Sequence, residues 1–412
     1  MEVELDRISN LPEEVIDKIL TNLPIKDGAR TSVLASNWRY KWAMLPHLVF
    51  DARCNSRIAN QVLLGHFGPI SKFELCQGSK DIRDIDGWIL YLSRNHPVND
   101  LKLSFSVRKR YKMPSCMFSC QDIIHLNLTG CLLKPPSTFE GFRSLRSLHF
   151  EDVILNQDVF DHMILSCNLL ERLTLKDCGG FTQLKIDAPN LLILHCSGVC
   201  KDFSTVNALQ LAYVYIDLFI PQVHHNSSNV LKFFHFFVSL PMVEGLHISW
   251  SFLNYLAAGA LPKLHKPCLH LKFLDISMFF DYMEEVSIAL CLLSSSPALE
   301  ILNMEAMGCH NQADVGVVKS WLYKNRICSF TKLRFVKIQR ISGVEAQLDF
   351  IRFLLISSPV LETMTVVFLP LEPNAADENP DLAVHQHYLD VVTKLLRFRR
   401  ASPNLEIIYS QP

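Results

Sequence analysis

The stretch LRSLHFEDVILNQDVFDHMILSCNLLERLTL, residues 145–175, decides the fold of this 412-residue chain. Its two ends, LRSLHF and LERLTL, share the pattern apolar-x-x-apolar-x-apolar. Successive side chains of a β-strand point to opposite faces, so the pattern predicts a strand with one buried side. The middle, NQDVFDHMILSCNLL, is typical of a helix. We therefore expect strand, helix and strand in succession, which is the unit of a parallel α/β solenoid.

The same six-residue pattern recurs along most of the chain. Copies are ISKFEL, VNDLKL, IIHLNL, FTQLKI, LLILHC, VEGLHI, LKFLDI, LEILNM, LRFVKI and LETMTV, with a weaker copy at NALQL. Most intervals are near the length of a leucine-rich repeat. Shorter intervals around FTQLKI, LLILHC and NALQL indicate tight strand–turn–strand coils. The prediction is an α/β fold, an irregular leucine-rich-repeat solenoid with a curved parallel sheet.

One position of the repeat is polar in every copy. It follows the fourth residue of the pattern and faces solvent when its neighbours are buried. We name its members the polar column and expect it to line the inner surface of the solenoid. The candidates for contact with a target protein are Lys102, Asn127, His149, Thr174, His247, Asp275 and Asn303; the column also holds Glu74, Lys185, His195, Gln210, Lys337 and Thr365. Alternatively, these residues only solvate the exposed face, as any solenoid requires.

The amino-terminal stretch DRISNLPEEVIDKILTNLPIKDGARTSVLASNWRYKW, residues 6–42, has a different pattern. Apolar residues at helical spacing follow Pro12, and Pro24 ends the run. A second short helix would carry Ala29, Val33 and Leu34, and a third would carry Trp38 and Trp42 on one face. Three helices this short cannot bury all their apolar side chains among themselves. They either cap the next domain or bind another protein.

The stretch closely resembles the F-box of plant proteins, on the matching residues DRISNLPEEVIDKILTNLP and KDGARTSVLASNWRYKW. The resemblance implies binding of a Skp-type adaptor and, through it, of a cullin. Carried over by position, the adaptor-facing or interface-supporting residues are Leu11, Pro12, Ile16, Ile19, Leu20, Leu23, Pro24, Leu34 and Trp38. Trp42 would anchor the third helix to its surroundings. Asn37 stands where the family usually has a basic residue, and Lys41 where it usually has leucine.

From Ser329 the repeat takes a distinct form. FTKLRFVKIQRISGVEAQLDFIRFLLISSPVLETMTV indicates strand, loop, helix and strand, with Leu348, Ile351, Leu354 and Leu355 on one helix face. LPLEPNAADENPDLAVHQ predicts an exposed loop, and YLDVVTKLLRFRRASPNLEIIYS a closing helix and strand. This segment resembles the FBD domain that ends many plant F-box proteins. The predicted domains are an F-box at 6–50, a repeat solenoid at 51–328 and an FBD cap at 329–412.

Composition and motifs argue against an enzyme and against nucleic acid or a membrane surface as a partner. Lys and Arg number 40 and Asp and Glu 41, so no net charge favours nucleic acid or a membrane surface. Two short basic runs, RKRYK and RFRR, are expected to lie on solvent-exposed faces. No segment reaches eighteen uninterrupted apolar residues, and no secretory signal is present. The odd count of 13 cysteines predicts reduced, mostly buried thiols. We expect an intracellular soluble protein of the nucleus or cytoplasm.

The sequence nominates no cofactor, no metal site and no catalytic residue. The CxxxC pairs at 116–120 and 196–200 lack a matching second pair for zinc, and two histidine pairs, 224–225 and 385/387, lack nearby carboxylates or thiols. The leading hypothesis is a non-catalytic substrate-recognition subunit of an SCF-type cullin–RING ubiquitin ligase. Two alternatives remain: a scaffold protein whose F-box no longer engages the ligase, and an enzyme with an unrecognised site in the repeats.

Overall fold

The structure is a computed structural model with two compact units, residues 1–183 and 184–412. The described residues are 11–23, 25–51, 56–76, 84–95, 97–105, 110–221, 240–257, 267–308, 319–320, 322, 329–370 and 380–410. Pro24 and the histidine pair at 224–225 lie outside them. Each unit contains parallel strands that alternate with helices and loops, so the α/β prediction is confirmed.

The amino-terminal module is helical, but only its first helix is long. The α1 helix spans Glu13–Thr21, with Pro12 immediately before it, and α2 spans Ile25–Arg30. Short 3₁₀ turns follow at Thr31–Val33, Ser36–Trp38 and Lys41–Met44. The expected third helix with Trp38 and Trp42 on one face is therefore wrong, because the two tryptophans lie in separate turns.

The first unit contains six neighbouring parallel strands. In spatial order they are β1 (His47–Phe50), β2 (Lys72–Cys76), β3 (Asp100–Ser104), β5 (His125–Thr129), β7 (Ser147–Glu151) and β8 (Arg172–Lys176). The helices of this unit after the amino-terminal module are α3 (Ser56–Gly65), α4 (Ile85–Asn95) and α5 (Gln157–Ser166). A small pair, β4 (Tyr111–Lys112) and β6 (Cys131–Leu132), lies beside them. The stretch 145–175 forms β7, α5 and β8 as predicted.

The second unit contains eight neighbouring parallel strands. They are β10 (Ile193–Val199), β12 (Tyr213–Phe219), β13 (Gly245–Ile248), β14 (Phe273–Met278), β15 (Ile301–Ala306), β16 (Phe335–Ile341), β17 (Thr363–Phe368) and β18 (Glu406–Ser410). Its described helices are α6 (Trp250–Ala257), α7 (Met283–Ser294), α8 (Glu345–Ser357) and α9 (Pro380–Leu396). Two further strands, β9 (Gln183–Asp187) and β11 (Asp202–Val206), pair only with each other.

The core follows from the repeat pattern. In β7 and β8 the fourth and sixth pattern residues, Leu148, Phe150, Leu173 and Leu175, are all buried. Full burial of each such side chain contributes roughly 1.5–3 kcal/mol relative to exposure. Register follows as well, because a shift of one residue would move every apolar side chain to the solvent face. The strands pair with fourth residues directly opposite, as with Leu148 and Leu173.

Three predicted elements differ from the structure. NALQL lies partly in a turn, and the strand of that repeat is β12, two residues further on. FTQLKI forms β9, outside the main set of strands, so Lys185 does not belong to the column. The loop expected at 369–386 is helical from Pro380, where α9 begins. In the last case the Pro-rich and acidic composition predicted a loop where the structure has the start of a helix.

Candidate protein-interaction surfaces

The first helix carries two apolar pairs at i, i+4 spacing, and they face opposite environments. Ile16 and Leu20 are buried, at 1% and 0% exposure. Val15 and Ile19 remain exposed, at 40% and 38%. From sequence spacing alone, either pair could face the interior of the module. In the structure Ile16 and Leu20 lie in the interior of the module, whereas Val15 and Ile19 lie at its surface.

A second exposed apolar site follows α2. Val33 is 87% exposed and Leu34 50% exposed, at the end of the turn Thr31–Val33. Leu34 belongs to the predicted adaptor-binding set, whereas Val33 was not in it. Of that set, Trp38 is buried like Ile16 and Leu20, Pro12 is exposed, and Leu11 and Leu23 are partly exposed. Buried members can support an interface but cannot contact an adaptor directly.

Trp42 packs against the first helix of the repeat region. A Cβ added to Gly65 of α3 would lie 3.0 Å from the Trp42 ring. The backbone also ties the two parts together, because the amides of Phe67 and Gly68 both donate to the carbonyl of Ala43, at 3.1 Å. The module is therefore anchored on the repeats by its last turn, as expected for Trp42, while the exposed sites at 15/19 and 33/34 remain uncovered.

The polar column exists as a physical row in the first unit. Paired register positions place Glu74, Lys102, Asn127, His149 and Thr174 side by side across β2, β3, β5, β7 and β8. All five are partly exposed. Lys102 donates to Glu74 at 2.5 Å. Two members of this row, Lys102 and Glu74, thus already form an ion pair with each other.

In the second unit the column continues as His195, Tyr215, His247, Asp275 and Asn303. We name it the stacked row because the rings of its first three members stack. The Tyr215 ring lies 4.0 Å from each histidine ring, nearly parallel to that of His247. His247 Nδ1 lies 3.3 Å from an Asp275 oxygen. Tyr215 was missed because NALQL was chosen as the repeat; the alternation in YVYIDLF was the signal.

Nearby carboxylates act on the hydroxyl of Tyr215 in the stacked row. Partial burial, and then the neighbouring carboxylates of Asp217, Asp275 and Glu305, raise the pKa of Tyr215 above its ordinary value. The phenol therefore stays protonated and can donate a hydrogen bond. Glu305 accepts from Ser277 Oγ at 3.2 Å, and Asp217 is exposed. This edge of the row favours cationic or hydrogen-bonding groups of a partner.

A third row distinguishes the two units. Two residues before the column, the second unit has Ile193, Tyr213, Gly245, Phe273, Ile301 and Phe335, paired in register, which we name the apolar row. Four of them are among the exposed large hydrophobic residues: Ile193, Tyr213, Ile301 and Phe335. The first unit has Lys72, Asp100, His125, Ser147 and Arg172 at the matching positions. A solvated face needs no apolar row, so this one is a candidate interaction surface.

At Gly245 the apolar row has a gap. An added Cβ would lie 2.7 Å from the Tyr213 ring and 3.9 Å from the Phe273 ring. The two aromatic side chains therefore close over the glycine and form a continuous apolar surface across three strands. This row was not predicted, although the residue before each fourth position of the pattern is apolar in several of the same copies.

The second cysteine of each CxxxC pair, Cys120 and Cys200, is buried. Burial raises the pKa of Cys120 to about 11 and of Cys200 to about 12, so both thiols stay protonated. No group of three or more His, Cys, Asp or Glu among the described residues is arranged to hold a metal ion. In the same part of the chain, no helix is long and apolar enough to cross a membrane.

Fold and surfaces together define a leucine-rich-repeat protein with an amino-terminal helical module. Comparison with known families agrees with both parts. An F-box domain model matches residues 8–50, and the model described as At1g61320/AtMIF1, LRR domain, matches residues 70–378. These ranges overlap the predicted domains, whose boundaries stay a prediction.

Curated relatives extend the match to the whole chain. The F-box/FBD/LRR-repeat protein At1g13570 of Arabidopsis thaliana is 34% identical, over 98% of this chain and 99% of its own length. The F-box/FBD/LRR-repeat protein At1g51370 of the same plant is 26% identical over 88% of this chain and 89% of its own. The putative FBD-associated F-box protein At5g50270 is 24% identical over 88% and 97%. The chain belongs to the plant family of F-box/FBD/LRR-repeat proteins.

Proposed function

We propose that this protein is the substrate receptor of an SCF-type cullin–RING ubiquitin ligase. Its F-box docks a Skp-type adaptor, and the adaptor links it to a cullin. Its own residues catalyse nothing; holding a target close to the ligase raises the effective concentration of the target for ubiquitin transfer. The observation that carries the proposal is the uncovered apolar surface of the F-box, Val15 with Ile19 and Val33 with Leu34. We place its work in the cytoplasm or nucleus, where that machinery acts.

The adaptor interface has two apolar contact points. Side chains that stay exposed in a small helical module, beside fully buried neighbours, are the anchors that a protein partner covers. Ile16, Leu20 and Trp38 hold the module in shape from within. Leu11, Pro12, Leu23 and Pro24 flank the exposed pair on α1 in the sequence and complete the proposed interface.

The target surface is the solvent-facing side of the strands. The apolar row supplies contact area, and the stacked row with its carboxylates supplies directional polar groups. Target contacts are proposed at His247, Asp275 and Asn303 in the second unit, and at Lys102, Asn127, His149 and Thr174 in the first. Target binding is proposed more strongly for the second unit, because among the described strands an exposed apolar row lies beside the polar row only in that unit.

Co-purification with a Skp-type adaptor tests the proposal. The Val15→Ser/Ile19→Ser and Val33→Ser/Leu34→Ser variants should each lose adaptor binding by at least about tenfold, because buried apolar contacts are removed. Leu64→Ser is the matched control: Leu64 is 88% exposed, on α3 outside the F-box. It should bind normally. Full binding by both double variants would contradict the interface, and adaptor binding without cullin would favour the scaffold alternative.

A further inference from the structure

The last two helices of the chain and the turn after them line an open cavity at the surface that the ligase proposal does not use. It has a volume of about 330 Å³, within the range of ligand-binding pockets. Four of its lining side chains are basic: Arg352 from α8, Lys394 from α9, and Arg397 and Arg399 just after α9. The only acidic group in its lining is Glu345. The cavity is therefore strongly cationic in a chain of net charge −1.

Ion pairs within the protein account for only part of this charge. Glu345 pairs with Lys319 at 3.1 Å, so its charge is already matched. Arg352 pairs with the buried carboxylate of Asp349 at 3.0 Å. Among the residues that the structure describes, Lys394, Arg397 and Arg399 have no ion pair within 4.0 Å. Three cations thus line the cavity without an ion-pair partner in the part of the chain that the structure describes.

Stabilisation by a helix carboxyl terminus does not account for all three of these cations. Cations near a helix carboxyl terminus are stabilised by the helix dipole, and Lys394 lies in the last turn of α9. The dipole, however, amounts to only about half an elementary charge at that end. It can balance one of the three cations at most. The remaining positive charges lie together at exposed positions, where a bound anion would relieve their mutual repulsion.

One arginine is held ready for such an anion. Arg352 lies over the Phe398 ring, 4.3 Å from its centroid, while Asp349 accepts its Nη1 hydrogen bond. A guanidinium fixed in this way loses little conformational freedom when it binds a ligand. Apolar side chains, Leu348, Ile356 and Phe398, line the rest of the cavity. They suit a carbon side chain next to the charged group.

We propose that this cavity binds a phosphate dianion carried by a phosphorylated protein segment. A phosphoserine or phosphothreonine carries about −1.5 to −2 charges and three strong acceptor oxygens, which matches three unpaired cations plus one fixed guanidinium. A nucleic acid would require a basic stripe that follows many phosphates, whereas this site is a single pocket with an apolar wall. The site is separate from the F-box surface, so it stands whether or not the adaptor binds.

The test uses the full chain and a degenerate peptide library with one fixed phosphoserine, compared with its unphosphorylated copy and with a single-stranded DNA of twenty nucleotides. Only the phosphorylated library should bind, inorganic phosphate should compete, and binding should weaken as salt rises. The Arg397→Ala/Arg399→Ala variant should bind at least about tenfold more weakly, since it loses two charge-assisted contacts. Lys201→Ala/Lys332→Ala, which removes the same charge from exposed positions elsewhere in the same unit, should bind as wild type.

Four results would overturn the site: no phosphate-dependent binding, equal binding of the unphosphorylated library, undiminished binding by the Arg397→Ala/Arg399→Ala variant, or tighter binding of the DNA. Thermal unfolding of both double variants checks that each is folded. Neither changes a buried side chain, so both should unfold with wild-type cooperativity. Adaptor co-purification of the same variants separates this site from the ligase proposal, because loss of phosphate binding should leave adaptor binding intact.

Discussion

Lys41 Nζ lies 3.2 Å from a carboxylate oxygen of Glu13 and 3.6 Å from one of Asp17. The lysine stands where the F-box family usually has leucine, and the structure gives it two partners four residues apart on α1. Its side chain is 23% exposed, while those of Glu13 and Asp17 are 83% and 56% exposed. The departure from the family pattern is thus accommodated on the side of the first helix next to the interior pair, because Glu13 and Asp17 each lie three residues before Ile16 and Leu20.

Replacement of this lysine should therefore have a small effect. We expect Lys41→Leu to change the free energy of unfolding by less than about 1 kcal/mol, since exposed ion pairs contribute little. Lys41→Glu, which places a third carboxylate beside Glu13 and Asp17, should destabilise more. Urea denaturation at low and high salt measures both, and the difference between the variants should shrink at high salt. A loss of several kcal/mol in Lys41→Leu would show that the pair has a structural role.

Gly28 in α2 provides a stabilising substitution. A Cβ at this position would meet only side-chain atoms of Leu45, Trp42 and Leu20, at 3.9–4.0 Å. Gly28→Ala should raise the free energy of unfolding by ~1 kcal/mol, because alanine is the better helix former. Gly68→Ala is the contrasting variant, since its Cβ would lie 2.7 Å from backbone atoms of Met44. Chemical denaturation should move the midpoints of the two variants in opposite directions.

The two apolar pairs of α1 should separate folding from binding. Leu20→Ala should cost about 2–5 kcal/mol of stability because it leaves a cavity in the module. Ile19→Ala should cost much less stability and yet weaken adaptor binding. Differential scanning calorimetry and adaptor titration, run on both variants, provide the comparison. A stable Leu20→Ala variant with poor binding would reverse the assignment of the two faces.

Glu285 on α7 predicts a pH dependence of stability. Its side chain is fully buried; one oxygen accepts the Phe279 amide at 2.9 Å, and the other has no hydrogen-bond partner. Burial raises the pKa of Glu285 to about 7. The folded state then binds more protons than the unfolded state between about pH 4.5 and 7, so stability falls as pH rises through that window.

The variant Glu285→Gln should remove this dependence. Its amide keeps the acceptor for Phe279 and carries no charge, so above pH 7 the variant should be more stable than wild type, on the order of 2–3 kcal/mol. Gln347 already has such a role near the start of α8, where its oxygen accepts the amides of Ser342 and Gly343. Glu284→Gln, at an exposed neighbour, is the control. Identical pH–stability curves for wild type and Glu285→Gln would refute the assignment.

The apolar row should carry target recognition. Phe273→Ser/Ile301→Ser removes exposed apolar surface in the second unit without touching the F-box. Proximity labelling in cells should then lose ubiquitylated neighbours that wild type captures, while adaptor binding persists. Ser147→Ala/His125→Ala changes the matching row of the first unit and should leave most of these neighbours in place. Equal loss in both variants would locate recognition elsewhere.

Much of the repeat could be predicted because the pattern is local. LKFLDI and LEILNM became β14 and β15 in the expected register, with Leu274 opposite Leu302. The prediction was wrong where a copy of the pattern was weak. Because NALQL was taken as the repeat, the strand β12 and its residue Tyr215 were missed. The polar position was read correctly, but the apolar row two residues earlier was missed. A single copy does not reveal a row, since the row exists only when strands lie side by side.

The sequence by itself determined the order of elements, the buried face of each strand and the family resemblance at both ends. These depend on spacing along the chain, which fixes the side of a strand or helix on which each residue lies. Only the tertiary structure decided which pair on α1 faces inward, that His195, Tyr215 and His247 stack, and that three cations with no ion pair among the described residues line one cavity. Such relationships join residues far apart in the chain, and packing, not local preference, brings them together.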